Sequence, residues 1–451
     1  MPALSRMADH GVLWIVVAGA LWATGDRWAR RAAWRGLGSL AAASATANLV
    51  GKGLSARRRP DVDVPAARQL PQPSSPSFPS GHAANAAAFA IGVAIEKPSL
   101  AAPAIALAAA VGASRIATGE HYPSDVLAGT AIGAAAAVMT LRWWPRRPDR
   151  PAMAIRPPRP APAAPTGESL VLLVNTSAGT ASSKLASWLA AELPKATVIE
   201  TDAAQDLAAQ LRQAAAGARI LGVAGGDGTV RTASPIALET GLPLLVIPAG
   251  TFNHFAADLG LRSADDAVAA LRAGDAVLVD VGIAAGQPFV NTSSTGVYVD
   301  LVYAREELEG RLGRRPAEVV GLIKVLRRSR PHDLILDGTR RRLWLYFAGN
   351  CRYEPQGTAP AYRPDLSDGY LDVRIVEARR LARSRLVAAV LTGTLGRSRV
   401  YHSWRARSVD VRPADGQPIW LSVDGEVATA ESGFTESKHP QGLVVYRAAA
   451  G

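Results

Sequence analysis

The chain of 451 residues contains a single cysteine, Cys351, and its apolar runs are short. One cysteine excludes an internal disulfide and is typical of a C-terminal half that stays in a reducing compartment. The sequence contains no motif for RNA or DNA binding, although its formal net charge is +12. This charge therefore favours phosphorylated substrates or an acidic membrane surface as the anionic partner, and we expect no nucleic acid.

Five apolar stretches lie in the first third of the chain, and each is shorter than the ~20 residues that cross a bilayer comfortably. The stretches are Gly11 to Thr24, Gly36 to Val50, Ala83 to Ile95, Ala101 to Val111 and Val126 to Leu141. Alanine-rich helices in a bundle can include polar flanks, so we expect an all-α membrane bundle with five spans. The first stretch lacks a small-residue cleavage pattern, so we expect it to remain in the mature protein.

Arginines cluster directly after the first and the fifth stretch. The clusters are Arg27, Arg30, Arg31 and Arg35, then Arg142, Arg146, Arg147 and Arg150. Because basic loops stay on the cytoplasmic side, both clusters should face the cytoplasm. Five spans then put the loops Lys52 to Pro79 and Ser114 to Asp125 together on the outer face.

Three short motifs in this region carry the groups that a covalent phosphatase needs. They are Lys52 with Arg59-Pro60, Pro79-Ser80-Gly81-His82, and Ser114-Arg115 with His121 and Asp125. Such an enzyme needs cations for the phosphoryl oxygens, a nucleophile, a group that orients it and a proton donor for the leaving oxygen. No metal is required for this chemistry.

The order and spacing of these motifs resemble the type 2 phosphatidic acid phosphatase family, over about residues 36 to 143. The resemblance implies that His121 attacks phosphorus, that Asp125 orients its imidazole and that His82 protonates the leaving alkoxide. It also implies phosphate binding by Lys52, Arg59, Ser80, Gly81 and Arg115. Family members that act on lipids usually have six spans, and with five apolar stretches we expect one fewer at the N-terminal side here. Soluble acid phosphatases and vanadium haloperoxidases share these residues, but the apolar stretches favour a lipid substrate.

A proline- and arginine-rich segment, residues 144–166, follows this predicted lipid phosphatase domain of residues 1–143. Its composition predicts an extended tether, either free or held against anionic headgroups. Beyond it, strand-like and helical patterns alternate from Leu170 onward, which predicts a parallel sheet. We expect strands at residues 170–175, 198–200 and 219–224, with helices at 184–193 and 202–216.

The third of these strands ends directly in Gly225-Gly226-Asp227-Gly228-Thr229, and we expect a helix from about Val230. A glycine-rich turn lets backbone amides approach phosphate, and the following helix N-terminus favours negative charge. Asp227 would position magnesium on the nucleotide. The pentapeptide is shared by lipid kinases, nicotinamide dinucleotide kinases and phosphofructokinases.

A second motif, Pro248 to Ala256, follows the next predicted strand and discriminates between these enzymes. Together with Asp280-Val281-Gly282, Asn291, Asp368 to Asp372 and Asp424-Gly425-Glu426, it resembles the diacylglycerol kinase catalytic family, which includes sphingosine kinases. The resemblance covers about residues 169 to 445. It implies an α/β nucleotide-binding subdomain, residues 167–285, and a β-sandwich subdomain, residues 286–451, with the active cleft between them.

The resemblance also implies a role for individual residues. Contacts to ATP are implied for Asn175, Gly226, Asp227, Gly228, Thr229 and Thr251. Asp227 and Asp280 would belong to the magnesium network, and Asp368 would hold a structural magnesium ion. Glu426 would take the proton from the lipid hydroxyl. ATP and Mg²⁺ are therefore the expected cofactors of this half, and none is expected for the phosphatase half.

The sequence departs from the kinase family in two places. Many members have Asn-Asp where this chain has Asn253-His254, and the missing carboxylate weakens the magnesium or water organisation of the site. A glycine-rich stretch expected after Asn350 is replaced by Cys351 to Pro360. Residues Glu318 to Arg330 predict a basic amphipathic helix, which either lies on anionic lipid or packs on the sandwich.

These patterns predict a multi-pass protein of the cell membrane that is both a lipid phosphate phosphatase and an ATP-dependent lipid kinase. The phosphatase site would face outward and the kinase domain would lie in the cytoplasm. In the main alternative, only one half is active and the other is a lipid-binding or anchoring module. Lipids, phospholipids and the membrane are the expected partners, and a homodimer through the kinase domain is a further expectation.

Overall fold

The computed structural model describes residues 7, 11–24, 27–48, 57–61, 75–148, 150–176, 180–202, 204–250, 253–297, 299, 330–357, 361–378, 385, 389 and 392–449. The chain divides into two compact units, Met1–Arg146 and Arg147–Gly451. We call the first the helical unit and the second the sheet unit.

The helical unit contains one helix for each of the five apolar stretches. They are α1 (Val12–Ala23), α2 (Arg27–Thr46), α3 (Gly81–Glu96), α4 (Ala101–Ala117) and α5 (Pro123–Trp143). The side chain of Ser80 caps α3 by accepting a hydrogen bond from the amide of Ala83. Pro123 starts α5, where its missing N–H costs nothing.

Glycines allow α2, α3 and α5 to pack at backbone distance. A Cβ atom added to Gly129 would lie 2.3 Å from the carbonyl oxygen of Ser80, and one added to Gly133 would lie 2.2 Å from that of Ala84. A Cβ atom on Gly36 would lie 2.9 Å from the ring of Phe89. Small residues at helix contacts of this kind are typical of helices packed in a membrane.

A buried ion pair joins the same three helices at the other end of α3. Arg35 donates to Glu96 at 2.7 Å and to the hydroxyl of Thr140 at 2.9 Å, and Arg31 donates to Glu96 at 2.9 Å. Arg35 and Glu96 are both buried. The paired charges therefore fix the start of α2 to the ends of α3 and α5.

Within the described residues, two helices are long and apolar enough to cross a membrane, Pro98–Ala117 and Pro123–Trp143. The apolar helix α1 has 12 residues and is shorter than that length. The arginines of the first cluster lie within α2, which lowers the hydropathy of that helix. Length and composition thus support two of the five expected spans.

The sheet unit contains the expected alternation of strands and helices, followed by an antiparallel region. The alternating part comprises β1 (Leu170–Val174), α6 (Thr180–Glu192), β2 (Thr197–Glu200), α7 (Leu207–Ala216), β3 (Ile220–Gly225), α8 (Asp227–Thr240), β4 (Leu244–Pro248), α9 (His254–Asp258), α10 (Ala264–Ala273) and β5 (Ala276–Ala284). Strands β2, β1, β3 and β4 are parallel neighbours in that order. Helix α8 begins at Asp227, three residues before the expected start.

The antiparallel region forms the C-terminal part of the unit. Its strands are β6 (Gln287–Phe289), β7 (Thr292–Gly296), β8 (His332–Leu336), β9 (Thr339–Asn350), β10 (Leu371–Glu377), β11 (Tyr401–Ala406), β12 (Ser408–Pro413), β13 (Ile419–Val423), β14 (Glu426–Ala430) and β15 (Phe434–Tyr446). The long strand β15 pairs with β12, β5 and β4. This strand therefore connects the antiparallel region to the parallel sheet. The expected fold class, helices first, then an α/β part and a strand-rich part, is confirmed.

The proline-rich segment packs on the sheet unit, so the expectation of a free tether is wrong. Ala152, Ala161 and Ala164 are buried in the core of the α/β part. The amide of Leu278 donates to the carbonyl of Ile155 at 2.7 Å. Alanines between the prolines supply apolar surface, and burying it against the α/β part stabilises the extended segment.

The predicted basic amphipathic helix at Glu318 to Arg330 lies outside the described residues, except for Arg330.

Candidate functional site

In the helical unit, the second and third phosphatase motifs meet at one end of the bundle. The amide of Ser80 donates to the carbonyl oxygen of Asp125 at 3.0 Å, which joins the start of α3 to the start of α5. His82 lies in the first turn of α3, and His121 lies two residues before the start of α5. Lys52 lies outside the described residues.

Two predicted phosphate-binding arginines are fixed around Glu120. Arg59 donates to the carbonyl oxygen of Glu120 at 2.9 Å and to that of Ser75 at 3.2 Å. The buried side chain of Arg115 forms an ion pair with the carboxylate of Glu120. Glu120 is thus a site residue that the spacing of the motifs did not indicate.

The predicted nucleophile, His121, is buried to 4% exposure among these cations. Burial lowers the pKa of His121 to about 4, and the charges of Arg59 and Arg115 add to this effect. The imidazole is therefore neutral at pH 7, which is the form that can attack phosphorus.

Asp125 lies near His121, but the two side chains do not form the expected hydrogen bond. Nδ1 of His121 is 3.8 Å from Oδ2 of Asp125, which exceeds hydrogen-bond length. The carboxylate instead accepts hydrogen bonds from the hydroxyl of Ser77, the amide of Tyr122 and the guanidinium of Arg57. His121 precedes Tyr122, the N-cap residue of α5, whereas Asp125 lies in the first turn of that helix. The two residues are therefore not on consecutive turns of one helix.

In the sheet unit, the two predicted glycine turns touch each other. A Cβ atom added to Gly250 would lie 2.3 Å from Cα of Gly226, so only glycine fits there. The side chain of Asn253 closes the second turn by accepting from the amide of Gly250 at 3.0 Å and donating to its carbonyl at 2.7 Å. Asp227 occupies the first turn of α8, and its carboxylate accepts from the amide of Phe255 at 3.3 Å.

A pocket of about 700 Å³ opens beside the first glycine turn. It is lined by four of the residues predicted to bind ATP, namely Asn175, Gly226, Gly228 and Thr229, and by Glu426. The side-chain amide of Asn175 donates to the hydroxyl of Thr229 at 2.9 Å. Thr251, the remaining residue of the predicted ATP set apart from Asp227, lies outside the described residues.

Glu426, the predicted base, reaches this pocket from the antiparallel region. Its carboxylate forms an ion pair with Arg231, which lines the same pocket. The hairpin that carries Glu426 is fixed by Asp424, whose carboxylate accepts from the amides of Val290, Asn291 and Thr292, each at 2.8 Å. Sequence reasoning missed Arg231, although its position four residues after Asp227 places it one helical turn along α8.

The predicted magnesium residues Asp280 and Asp368 lie close together, and Cys351 joins them. The ligand atoms of these three side chains are within 4.8 Å of one another. However, the ammonium group of Lys438 lies 3.4 Å from Oδ2 of Asp280 and 3.0 Å from Sγ of Cys351. Magnesium prefers oxygen ligands, so a thiol and an ammonium group beside the carboxylates do not fit this ion. The residues around Asp280 therefore do not fit magnesium, and the structural magnesium ion expected at Asp368 stays a prediction.

Asp227 fits a magnesium ion carried by the nucleotide better. Its half-buried carboxylate lies beside the glycine turn in the first turn of α8. A carboxylate next to a phosphate-binding turn is the usual protein ligand of such an ion.

His254, which stands where many kinase-family members have aspartate, contacts Arg147. Nδ1 of His254 is 2.5 Å from the guanidinium of Arg147. The position expected to hold a negative charge thus carries an imidazole beside a cation.

Comparisons with known proteins match both halves of the chain. Residues 32–149 match the model of the PAP2 superfamily, and residues 169–284 match the model of the diacylglycerol kinase catalytic domain. A diacylglycerol kinase of Mycobacterium tuberculosis is 30% identical over 219 residues, which cover 46% of this chain and 70% of that protein. A protein of Pseudomonas savastanoi named "Probable lipid kinase YegS-like" is 30% identical over 226 residues, 48% of this chain and 72% of that protein.

A solved structure agrees with the fold of the sheet unit. A solved structure named "Crystal structure of a putative diacylglycerol kinase from Bacillus anthracis str. Sterne" aligns with a TM-score of 0.50 and 20% sequence identity. The alignment covers 63% of this chain and 99% of that one. The matches with the two relatives at 30% identity extend over 70% and 72% of those proteins, which establishes the family of the sheet unit. The chain belongs to the diacylglycerol kinase family and carries a PAP2 superfamily domain ahead of its kinase domain.

Proposed function

We propose that this chain is a bifunctional membrane enzyme with opposed activities. The helical unit hydrolyses a lipid phosphate, and the sheet unit transfers a phosphoryl group from ATP to a lipid hydroxyl such as that of diacylglycerol. The observation that carries the first activity is a neutral, buried His121 among the cations Arg59 and Arg115. The second rests on the pocket that gathers Asn175, the glycine turn and Glu426.

Hydrolysis would run through a phosphohistidine at His121. The neutral imidazole attacks phosphorus, the P–O bond to the lipid breaks, and His82 gives its proton to the leaving alkoxide. Water then attacks the phosphohistidine and gives a proton back to His82, the P–N bond breaks, and inorganic phosphate and the neutral imidazole are released. Arg59 and Arg115 compensate the negative charge of the phosphoryl oxygens, which is the largest electrostatic demand of the reaction.

Phosphoryl transfer would take place in the pocket of the sheet unit. The backbone amides of the glycine turn and the N-terminus of α8 hold the phosphates of ATP. Glu426 accepts the proton of the lipid hydroxyl as its oxygen attacks the terminal phosphorus, and ADP leaves. Asp227 would hold the magnesium ion that accompanies ATP, and this ion would supply charge neutralisation.

We further propose that the phosphatase site faces outward and that the sheet unit is cytoplasmic. The site lies at the ends of the bundle where α3 and α5 start, whereas Arg31, Arg35 and Trp144 share the opposite end with Glu96. Positive residues favour the cytoplasmic side, which supports this orientation. Protease treatment of intact cells tests it: cleavage of the proline-rich segment from outside would overturn it.

The contact between Arg147 and His254 favours a second candidate function. A cation in place of the family's carboxylate is compatible with a sheet unit that binds lipid or nucleotide without catalysis. Under this alternative, the purified protein consumes no ATP when it is supplied with mixed lipids.

A pair of single substitutions separates the two activities. Phosphate release from phosphatidic acid and transfer from labelled ATP to diacylglycerol are measured in detergent, for the wild type, His121→Ala and Asp227→Ala. We expect His121→Ala to lower the rate of phosphate release by at least ~10³-fold, because the nucleophile is lost. Phosphoryl transfer to diacylglycerol should be preserved. Asp227→Ala should do the reverse. If the wild type transfers no phosphate to diacylglycerol, sphingosine or polyprenol, the binding-module alternative replaces the kinase proposal.

A further inference from the structure

The strongest unexplained feature outside the two sites is the buried ammonium group of Lys438. This residue lies on β15, the strand that connects the antiparallel region to the parallel sheet. Its side chain is 1% exposed and reaches Oδ2 of Asp280 at 3.4 Å, Sγ of Cys351 at 3.0 Å and Oδ1 of Asn350 at 2.5 Å. A buried cation is costly unless it is paired and hydrogen-bonded, so these contacts define a built site for it.

The groups around Lys438 come from both parts of the sheet unit. Asp280 belongs to β5, the last strand of the α/β part, and its second oxygen, Oδ1, accepts from the amide of Gln441 at 2.8 Å. Asn350 ends β9 of the antiparallel region and donates to the carbonyl of Asp280 at 2.7 Å. The amide of Gly369, beside Asp368, donates to Oδ2 of Asp280 at 2.8 Å. The ammonium group thus lies where the two parts meet.

A second buried cation supports the same junction. Arg363 donates to Oδ2 of Asp258 in α9 at 2.8 Å and to Oδ1 of Asn291 at 3.1 Å. It also donates to the carbonyl of Asn350 at 3.2 Å. Each of the two cations, Lys438 and Arg363, therefore contacts the α/β part and the antiparallel region at once.

We propose that the ammonium group of Lys438 takes the place of a divalent cation beside Asp280, a residue for which the kinase family resemblance implies a place in the magnesium network. The ion and the ammonium group would occupy the same space and carry the same sign of charge. Each compensates the buried carboxylate of Asp280 and draws oxygen atoms of both parts together. The junction of this chain is consequently independent of divalent cations, and any magnesium in the sheet unit arrives with the nucleotide.

Thermal unfolding of the full chain in detergent, without nucleotide, tests the proposal. The midpoint for the sheet unit is measured in EDTA and in millimolar MgCl₂, for the wild type and for Lys438→Met, which keeps the length of the side chain and removes its charge. We expect the wild-type midpoint to be unchanged by magnesium. Lys438→Met should lower the midpoint in EDTA by roughly 5–10 °C, because one partner of a buried charge pair is missing. Magnesium should restore part of this loss.

Lys195→Met is the matched control, since Lys195 forms an exposed ion pair with Glu168. Its midpoint should change by about 1 °C or less. A wild-type midpoint that rises with magnesium, in a way that Asp280→Asn abolishes, would overturn the proposal. An unchanged midpoint in Lys438→Met would overturn it as well.

If Lys438→Met does not fold, titration calorimetry of the wild type with MgCl₂ decides the question. Heat of binding that Asp280→Asn removes contradicts the proposal, and absence of binding supports it. The proposal concerns the site of the proposed kinase, but its readout is stability and metal binding. It can therefore fail while ATP transfer is intact, or hold where no transfer is found.

Discussion

Two buried carboxylates, one from each unit, are stabilised in different ways. In the helical unit, Glu96 is 2% exposed and meets two guanidinium groups, those of Arg31 and Arg35. In the sheet unit, Glu436 is fully buried in the antiparallel region and accepts a hydrogen bond from the hydroxyl of Tyr346. The first carboxylate is stabilised as an anion by charge, whereas burial favours the protonated form of the second.

The two candidate sites also differ in how deeply their proposed catalytic side chains are buried. His121 is nearly inaccessible, and its protonation state is set in advance by burial and by two arginines. Glu426 has a side chain that is 64% exposed and forms an ion pair with Arg231. The proposed nucleophile is already neutral in this structure, whereas the proposed base must first leave its arginine.

The largest effect on stability is expected from the titration of Glu436. Burial raises the pKa of Glu436 to about 7. Between about pH 4.5 and pH 7 the carboxyl group therefore keeps its proton in the folded state and loses it in the unfolded state. The contribution of Glu436 to stability should be complete below about pH 4.5, be lost as the pH rises through about 7, and amount to about 3 kcal/mol. Glu436→Gln removes the titrating group, so the unfolding midpoint of the sheet unit should vary much less between pH 5 and pH 8.

Glu377→Gln is the matched control, because Glu377 forms an ion pair with Arg341 at 2.7 Å in the same antiparallel region. This substitution should leave the pH dependence in place. Equal pH slopes for the wild type and Glu436→Gln would show that Glu436 does not titrate in this range.

The next largest effect is expected from the backbone packing of the helical unit. A methyl group on Gly133 meets the backbone of α3, which cannot move aside as a side chain can. Gly133→Ala should therefore destabilise the helical unit by about 2 kcal/mol, measured by thermal inactivation of phosphate release in detergent. Gly38→Ala, where a Cβ atom meets nothing within 4 Å, should be neutral or slightly stabilising. Similar losses in both variants would contradict packing at backbone distance.

The smallest effect is expected at Arg231, the partner of Glu426. Arg231→Ala removes a cation from the pocket, so we expect kcat/KM for ATP to fall about tenfold, mostly through KM. Arg231→Lys should show a smaller fall in kcat/KM, because it keeps the positive charge but not the planar guanidinium group. An unchanged KM in Arg231→Ala would mean that the ion pair with Glu426 is a surface contact without a role in binding.

Much of the fold could be predicted from local patterns. The Ala-rich stretches, the alternation of strands and helices from Leu170, and the glycine turn after β3 were all found where expected. Such features depend on neighbouring residues, whose periodicity decides which face is buried. The start of α8 was misplaced by three residues, because the glycine at its N-cap has little local preference.

Contacts between distant segments could not be predicted in this way. The hydrogen bonds of Ser77 and Arg57 to Asp125, and the pairs of Arg231 with Glu426 and of Lys438 with Asp280, join residues 48 or more positions apart. No local pattern encodes such a contact. The packing of the proline-rich segment also escaped prediction, since its burial depends on the surface that the α/β part offers.

The sequence by itself determined which chemistry this protein can carry, because the identity and order of its histidines, arginines, aspartates and glycines are properties of the chain. Only the tertiary structure decided how those groups are charged and paired. Burial changes the pKa of His121, and an ammonium group from β15 reaches Asp280, because both effects depend on distances through space. Electrostatic energies depend on these distances and on exclusion of water, and folding alone sets both.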